Sequence, residues 1–166
     1  VAAMQDGVPK ILRVDNDHPT MPSVVHYNAS RDVTVGRKAV RLQSKDPANT
    51  FHSVKRFIGQ KLEVVRKEAD NMAYTVEADE DGFAAIKCPI VGASLLPEEI
   101  SAHVLSKLIE DTERIIQQQI KKAVVTVPAY FDDEQREATR TAGLAAGLEV
   151  VKLLREPQAA AIAYGL

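Results

Sequence analysis

Three places in the chain carry side chains suited to charge and proton chemistry. The first is Lys55-Arg56, two adjacent cations shortly before Gly59. Cations there can meet the carbonyls at a helix end or hold phosphate oxygens, and spacing alone favours the helix-end reading. The second is Pro128, directly after the apolar run Ala123-Val124-Val125-Thr126-Val127, with Tyr130, Phe131 and Asp132 behind it. The third is Glu156, in the turn after the next apolar run. A carboxylate there can orient a water, or it can sit as a first-turn acid at the positive end of a helix. Ligands of open α/β sheets bind outside the carboxyl ends of the strands, where both Pro128 and Glu156 fall. The residues by themselves therefore point to an α/β domain with a polar site at 128–136 and 155–158.

Other chemistries find no support. There is no Gly-rich phosphate loop of either common type, no Gly-x-Ser-x-Gly elbow and no His/Asp/Glu set at metal-ligand spacing. His18, His26, His52 and His103 are scattered and read as surface or partly packed residues. The one cysteine, Cys88, cannot close an internal disulfide or build a Cys-based zinc cage, and it fits a reducing compartment. It reads as a strand residue beside Ile86 and Pro89. A formal net charge of -2 gives no nucleic-acid or membrane-surface signal. No apolar run approaches the ~20 residues of a membrane span. The start, Val1-Ala2-Ala3-Met4, is neither a signal nor a transit peptide, lacks an initiator Met and suggests a piece of a longer chain. Asn28-Ala29-Ser30 matches a glycosylation acceptor and is read as chance.

Elements must hold these residues in place. Val1 to Met4 and Lys10 to Val14 read as two strands around a turn at Gln5 to Pro9. Ser23 to Tyr27 and Asp32 to Val35 are further strands, and Arg37 to Ser44 can be a short helix. Asp46-Pro47 is expected to open a helix running to about Ile58, with Gly59 as its stop. Residues 60–96 are less regular, with strands at Met72 to Val76 and Ala84 to Cys88 around the acidic tip Asp79-Glu80-Asp81-Gly82. That tip is a solvated turn, not a calcium loop. The clearest helix spans 97–119: Pro97, Glu98 and Glu99 suit its first turn, and Ile100, Val104, Leu108, Thr112 and Ile115 recur at helical spacing. Glu110 and Arg114 are expected to pair at i,i+4. The run 123–127 reads as a strand buried on both faces. Asp132 with Gln135 caps a helix to about Ala146, closed by Gly147. A strand from Glu149 to Leu154 and an Ala-rich helix opened by Glu156-Pro157 complete a βαβ unit with a parallel pairing.

Several of these segments resemble one family closely. They are Ala123-Val124-Val125-Thr126-Val127-Pro128-Ala129-Tyr130-Phe131-Asp132-Asp133, then Gly147-Leu148-Glu149-Val150, and then Glu156-Pro157 with Ala159 through Leu166. Pro22-Ser23-Val24-Val25, Val35-Gly36, Asn49-Thr50-Phe51, Val54-Lys55-Arg56-Phe57-Ile58-Gly59 and Pro97-Glu98-Glu99-Ile100-Ser101-Ala102 follow the same pattern in the same order. The chain is similar, from end to end, to the 70-kDa heat-shock chaperones, with a bacterial or plastid flavour. The resemblance implies α/β architecture: part of the first lobe of an actin-like ATPase, a mixed sheet with flanking helices. A small upper subdomain at approximately 20–97 would be inserted into a base formed by 1–19 and 98–166.

For function, the resemblance implies ATP or ADP held with magnesium and potassium between two lobes. ATP hydrolysis would be coupled to binding and release of unfolded polypeptide. Lys55 would contact the γ-phosphate and the attacking water, with Arg56 as its neighbour, and Glu156 would hold the metal's water shell and position water. No residue of the chain would ligate metal directly. Pro128 and Arg136 would be the pair that senses ATP, and Lys152 would help dock a J-domain co-chaperone. The implied partners are the rest of a chaperone chain or a larger assembly, a J-domain co-chaperone, an exchange factor and unfolded clients, with no nucleic acid and no membrane span. The implied place is the cytoplasm or the plastid stroma. The family's two phosphate loops, Asp-Leu-Gly-Thr-Thr and Asp-Leu-Gly-Gly-Gly-Thr, are absent from this sequence, so the chain alone is expected to hold little or no nucleotide. Arg155-Glu156-Pro157-Gln158 stands where the family has Asn-Glu-Pro-Thr, and Asp17 to Ser23 departs from Gly-x-Arg-Thr-Thr-Pro-Ser. Asp132 replaces a common Asn but can still cap. These departures keep a second reading open, a non-catalytic chaperone-like subunit of a larger assembly.

Overall fold

A computed structural model describes residues 1–15 and 17–165. Strands β1 (Ala2–Gln5) and β2 (Val8–Ile11) form an antiparallel hairpin. Its tip, Asp6-Gly7, has positive φ at both residues. The second strand sits slightly earlier than its apolar residues suggest: it ends at Ile11, the Leu12 amide still donates to the Val1 carbonyl at 3.0 Å, and Leu12 and Val14 are buried. The Asn28-Ala29-Ser30 triplet, whose match to a glycosylation acceptor is read as chance, has a structural use. Asn28 Oδ1 accepts from the Ser30 and Asp32 amides at 2.9 and 2.8 Å and closes the turn between β3 (Val24–Tyr27) and β4 (Val33–Val35).

β3 is the middle of a three-stranded antiparallel sheet, flanked by β4 and β5 (Thr50–His52), and all four of its residues are buried. Helix α1 (Arg37–Val40) is a single turn after Gly36. The helix expected over 46–58 does not form. The segment is a 3-10 turn at Pro47–Asn49, then β5, then a second 3-10 turn at Val54–Arg56. Asp46 ends the first turn early: its carboxylate accepts from Asn49 Nδ2 at 2.9 Å and its carbonyl from Thr50 Oγ1 at 2.6 Å. Thr50 and Phe51, β-branched and aromatic, then gain more by pairing with β3 and entering the core than by continuing a helix.

A second antiparallel sheet runs β6 (Val76–Ala78), β7 (Ala84–Cys88), β8 (Ala93–Leu95). β6 begins where the expected strand from Met72 ends, because Tyr74 is drawn inward to the first sheet. The acidic tip is a turn, as read: Asp79 Oδ1 accepts from the amides of Asp81 and Phe83 at 3.0 and 2.8 Å. Helix α2 (Leu62–Asp70) was not legible. Its buried positions are only Leu62, Val65 and Ala69, set among charges.

Helix α3 (Pro97–Ile116) starts with Glu99 accepting from the Leu96 amide at 2.7 Å. Arg114 does not reach for Glu110. It turns instead to Asp111, 2.6 Å away and one residue closer, where a buried carboxylate awaits. Strands β9 (Lys122–Val127) and β10 (Glu149–Arg155) pair in parallel across helix α4 (Asp133–Ala145), and helix α5 (Glu156–Ala163) follows. The α4 cap is the expected one, with Asp132 accepting from the Gln135 amide at 2.9 Å. Gly143 lets α4 lie on β10, since a Cβ there would sit 2.3 Å from Val150 Cγ2. β9 is not buried on both faces. Val124 is 55% exposed and Val151, on the neighbouring strand, 50%. Val125, Val127, Val150 and Leu153 join the core, so the packed side chains of this pair lie on one face, and among the described residues β9 pairs only with β10.

Two apolar clusters result. One joins both antiparallel sheets to α3 through Val25, Phe51, Phe57, Ile86 and Ile100. The other holds Ile58, Val127, Phe131, Val150 and Leu153. Consecutive residues, Phe57 and Ile58, belong to different clusters, so the turn just before them is anchored from both sides.

Candidate functional site

That anchored turn carries Lys55. Its ammonium reaches Glu156 Oε1 at 2.5 Å across a separation of 101 residues. It also lies 5.9 Å from the centre of the Phe131 ring. Glu156 is brought there by β10: Arg155 stands opposite Val127 in the parallel register, so α5 starts beside Pro128 at the carboxyl ends of both strands. Both partners are about half exposed, at 55% and 45%. Lysine has three donors and a carboxylate two acceptor oxygens, so the pair retains capacity for a phosphate oxygen and a water. This donor and acceptor set fits a hydrated magnesium–phosphate group better than a bare metal. Among the described residues no group of three or more His, Cys, Asp or Glu is placed to hold a metal ion.

Arg56 lines an open groove next to this pair with Gln60, Tyr130, Asp132 and Gln135. Tyr130 is 81% exposed and meets Phe131 edge-on. Pro128 is buried, and its carbonyl accepts from the Phe131 amide at 3.3 Å. Arg136 lies in the first turn of α4, and its amide donates to the Asp132 carbonyl at 3.1 Å. Among the described residues no hydrogen bond joins its side chain to Pro128, Lys55 or Glu156. Lys152 is exposed on β10 opposite Val124, three positions before the strand's end. Arg155, at the start of α5, makes no side-chain cap. The structure thus brings Lys55 and Glu156 into contact and sets Arg56 beside them, while Arg136 and Lys152 lie on the flanking α4 and β10.

Sequence reasoning missed a buried charge cluster. Asp111 of α3 is 1% exposed and accepts from Lys107 Nζ at 2.5 Å, Arg114 Nη2 at 2.6 Å and the Asp15 amide at 2.9 Å. Asp15, itself 3% exposed, accepts from the Arg37 amide at 3.0 Å, and Arg37 Nη2 donates to the Thr20 carbonyl at 3.2 Å. The chain before β3 is tied by these bonds to α3 and α1. Burial works against the Asp111 charge, but the bonds from Lys107 and the Asp15 amide, with the Lys107 and Arg114 charges, outweigh it and hold its carboxyl below the ordinary value. The available signal was the i,i+4 and i,i+3 spacing of Lys107, Asp111 and Arg114.

The model of the family described as Hsp70 protein matches residues 1–166. The fold is accordingly that of an actin-like ATPase nucleotide-binding domain, of which this chain forms a mixed α/β part. The chain is 48% identical over 165 residues to a protein of Arabidopsis thaliana named heat shock 70 kDa protein 7, chloroplastic, covering 99% of this chain and 23% of that one. It is 48% identical, with the same coverage, to the stromal 70 kDa heat shock-related protein, chloroplastic, of Pisum sativum. It is 45% identical over 166 residues to the chaperone protein dnaK of Guillardia theta, covering 100% of this chain and 26% of that one. The chain belongs to the Hsp70 family, and it spans about a quarter of the length of these relatives. No helix among the described residues is long and apolar enough to cross a membrane.

Proposed function

We propose that the chain supplies the water- and phosphate-facing part of a chaperone ATPase domain, in which ATP hydrolysis drives binding and release of unfolded polypeptide. The Lys55–Glu156 contact carries this reading. It is a half-exposed cation and carboxylate, held together by two elements far apart in sequence, at the carboxyl end of a parallel strand pair. Transfer of a γ-phosphoryl group to water needs positioning and charge neutralisation more than covalent chemistry. Lys55 offers a point charge to a γ-phosphate oxygen and to the attacking water. Glu156 accepts a hydrogen bond from that water or from the metal's water shell, and its bond to Lys55 fixes where both groups point. Arg56 adds positive charge at the groove. Magnesium, with potassium, supplies charge neutralisation on the phosphates when bound.

Pro128 and Arg136 form the switch in this reading. Pro128 ends β9, Arg136 lies just inside α4, and the capped turn at Asp132 links the two, so a shift at Pro128 moves α4 as a body. Lys152 is the docking residue for a J-domain co-chaperone, and an exchange factor and unfolded polypeptides are the further partners. Residues of about 20–97 act as a small upper subdomain on a base of 1–19 and 98–166. Two relatives named chloroplastic and the buried free thiol of Cys88 favour a reducing compartment, plastid stroma or cytoplasm. The second reading, a non-catalytic subunit of a larger assembly, is favoured by one feature: Arg155 replaces a capping residue and places an exposed cation beside Glu156.

Calorimetry with magnesium–ATP on the chain and hydrolysis by a longer polypeptide together separate the two. The 166-residue chain is expected to bind more weakly than micromolar. A polypeptide that carries this segment together with both phosphate loops is expected to hydrolyse ATP, and Lys55→Ala is expected to abolish hydrolysis while leaving binding largely intact. Hydrolysis at the parent rate in that variant refutes the role of Lys55. Absence of any hydrolysis in the parent favours the subunit.

A further inference from the structure

Lys55 depends on an unusual backbone residue. Ser53, two positions before it, has φ 57 and ψ 19, the left-handed region that L residues other than Asn and Asp seldom enter. The Lys55 turn hangs from this residue: the Arg56 amide donates to the Ser53 carbonyl at 3.0 Å, and the Phe57 amide to the Val54 carbonyl at 2.9 Å. Rotation of the peptide plane between His52 and Ser53 changes ψ of His52 and φ of Ser53 together. Whatever holds the His52 carbonyl therefore holds Ser53 left-handed.

The Tyr74 hydroxyl is hydrogen-bonded to that carbonyl. Tyr74 is 3% exposed, and its ring stands edge-on to Phe51 at 5.3 Å and to His52 at 5.7 Å. The ring alone would fill this part of the core. The hydroxyl adds a hydrogen bond to the peptide before Ser53. Burial pushes the phenol well above its ordinary range, so it remains a donor throughout the neutral range. The Ser53 hydroxyl lies 3.2 Å from His52 Nδ1, a local contact that leaves the carbonyl to Tyr74.

We infer that Tyr74 is a positioning residue for Lys55: its hydroxyl locks the His52–Ser53 peptide and with it the turn that aims Lys55 at Glu156. The inference rests on the reading of Lys55 as the phosphate-facing cation. It assigns the strand-leading segment before β6 a part in setting the reactive geometry.

Tyr74→Phe removes the hydroxyl and keeps the ring. The first readout uses the chain itself: the three-bond amide–Hα coupling of Ser53 and the amide shifts of residues 53–56 by NMR. Tyr74→Phe is expected to shift these toward a flipped peptide and weaken the Lys55–Glu156 contact. The second readout is hydrolysis in a polypeptide that carries this segment and turns over ATP. There kcat is expected to fall about tenfold, equivalent to about 1.4 kcal/mol, with nucleotide affinity within about twofold, because ground-state binding is not what the hydroxyl sets. Adding Ser53→Gly to Tyr74→Phe is expected to restore kcat, since glycine takes the left-handed conformation without penalty. A Ser53 that stays left-handed in Tyr74→Phe, or a kcat loss that Ser53→Gly does not restore, overturns the inference. Where no such polypeptide hydrolyses ATP, the functional reading falls, and the Ser53 coupling alone decides the role of Tyr74.

Discussion

Asp111→Asn tests whether the buried charge cluster under α3 stabilises the fold as its geometry implies. The substitution keeps the size of the side chain and one acceptor oxygen, and removes the charge. Wild-type Asp111 accepts from Lys107, Arg114 and the Asp15 amide while 1% exposed. Removing one partner of a fully buried pair costs about 3–5 kcal/mol. Here the cations can return to water, since the Lys107 and Arg114 side chains are 29% and 70% exposed. Hydrogen bonds to charged groups contribute about 1.5–3 kcal/mol each, and asparagine still serves the Asp15 amide, so about 2 kcal/mol is the expected loss. With a urea m-value of about 2 kcal/mol/M, the midpoint falls by about 1 M. The pH dependence adds a second check. The folded carboxyl sits below its ordinary value of 3.8. The unfolded chain therefore binds more protons between those two values, and the stabilisation is full above 3.8 and fades as pH falls through the folded value. Urea midpoints of wild type and variant should converge as the medium is acidified. A constant gap down to acid pH, or no gap at pH 7, refutes the assignment of stability to this carboxylate.

Gly59→Ala should be more damaging than its size suggests. Gly59 has φ 61, and a Cβ there would lie 2.7 Å from the Gln135 Cα, a backbone atom at the start of α4. Loss of about 2–3 kcal/mol is expected from backbone strain and overpacking together, read as a lower urea midpoint, and stability within about 0.5 kcal/mol of wild type counts against that contact. His103 packs edge-on against Tyr27 at 5.6 Å, and burial, only partly opposed by Glu99, lowers its basicity. Its NMR titration midpoint should lie below 6.5. Because the folded ring binds a proton less readily than the unfolded one, it withdraws stability as pH drops below that value. A midpoint at or above 6.5 would show that the ring is not desolvated in this way.

What the sequence disclosed followed the length and self-sufficiency of each element. α3 and α4 announce themselves, the first by helical spacing over many turns and the second by the Asp132–Gln135 cap, because helix formation is decided within a few residues. The stretch from 46 to 96 hid its structure. β5 is three residues long and exists because Phe51 finds Val25 across the sheet. α2 hides because three inward residues in nine leave a weak period. The burial of β9 was misread because a run of valines reports apolar character, not whether a second layer covers it.

The candidate site has the same logic in a stronger form. No periodicity can link Lys55 to Glu156, since 101 residues separate them and each has a local explanation, a turn-end cation and a first-turn acid. Family resemblance named the two residues, but it did not supply the means by which they meet. That comes from Phe57 and Ile58, consecutive residues committed to different apolar clusters, and from a Ser53 held left-handed at the other end of the turn. Clamped at both ends, the turn has little freedom to move Lys55 away from Glu156. The pair's geometry is thus set more by the packing beneath it than by the attraction between two half-exposed charges, which in water is worth about 1 kcal/mol or less.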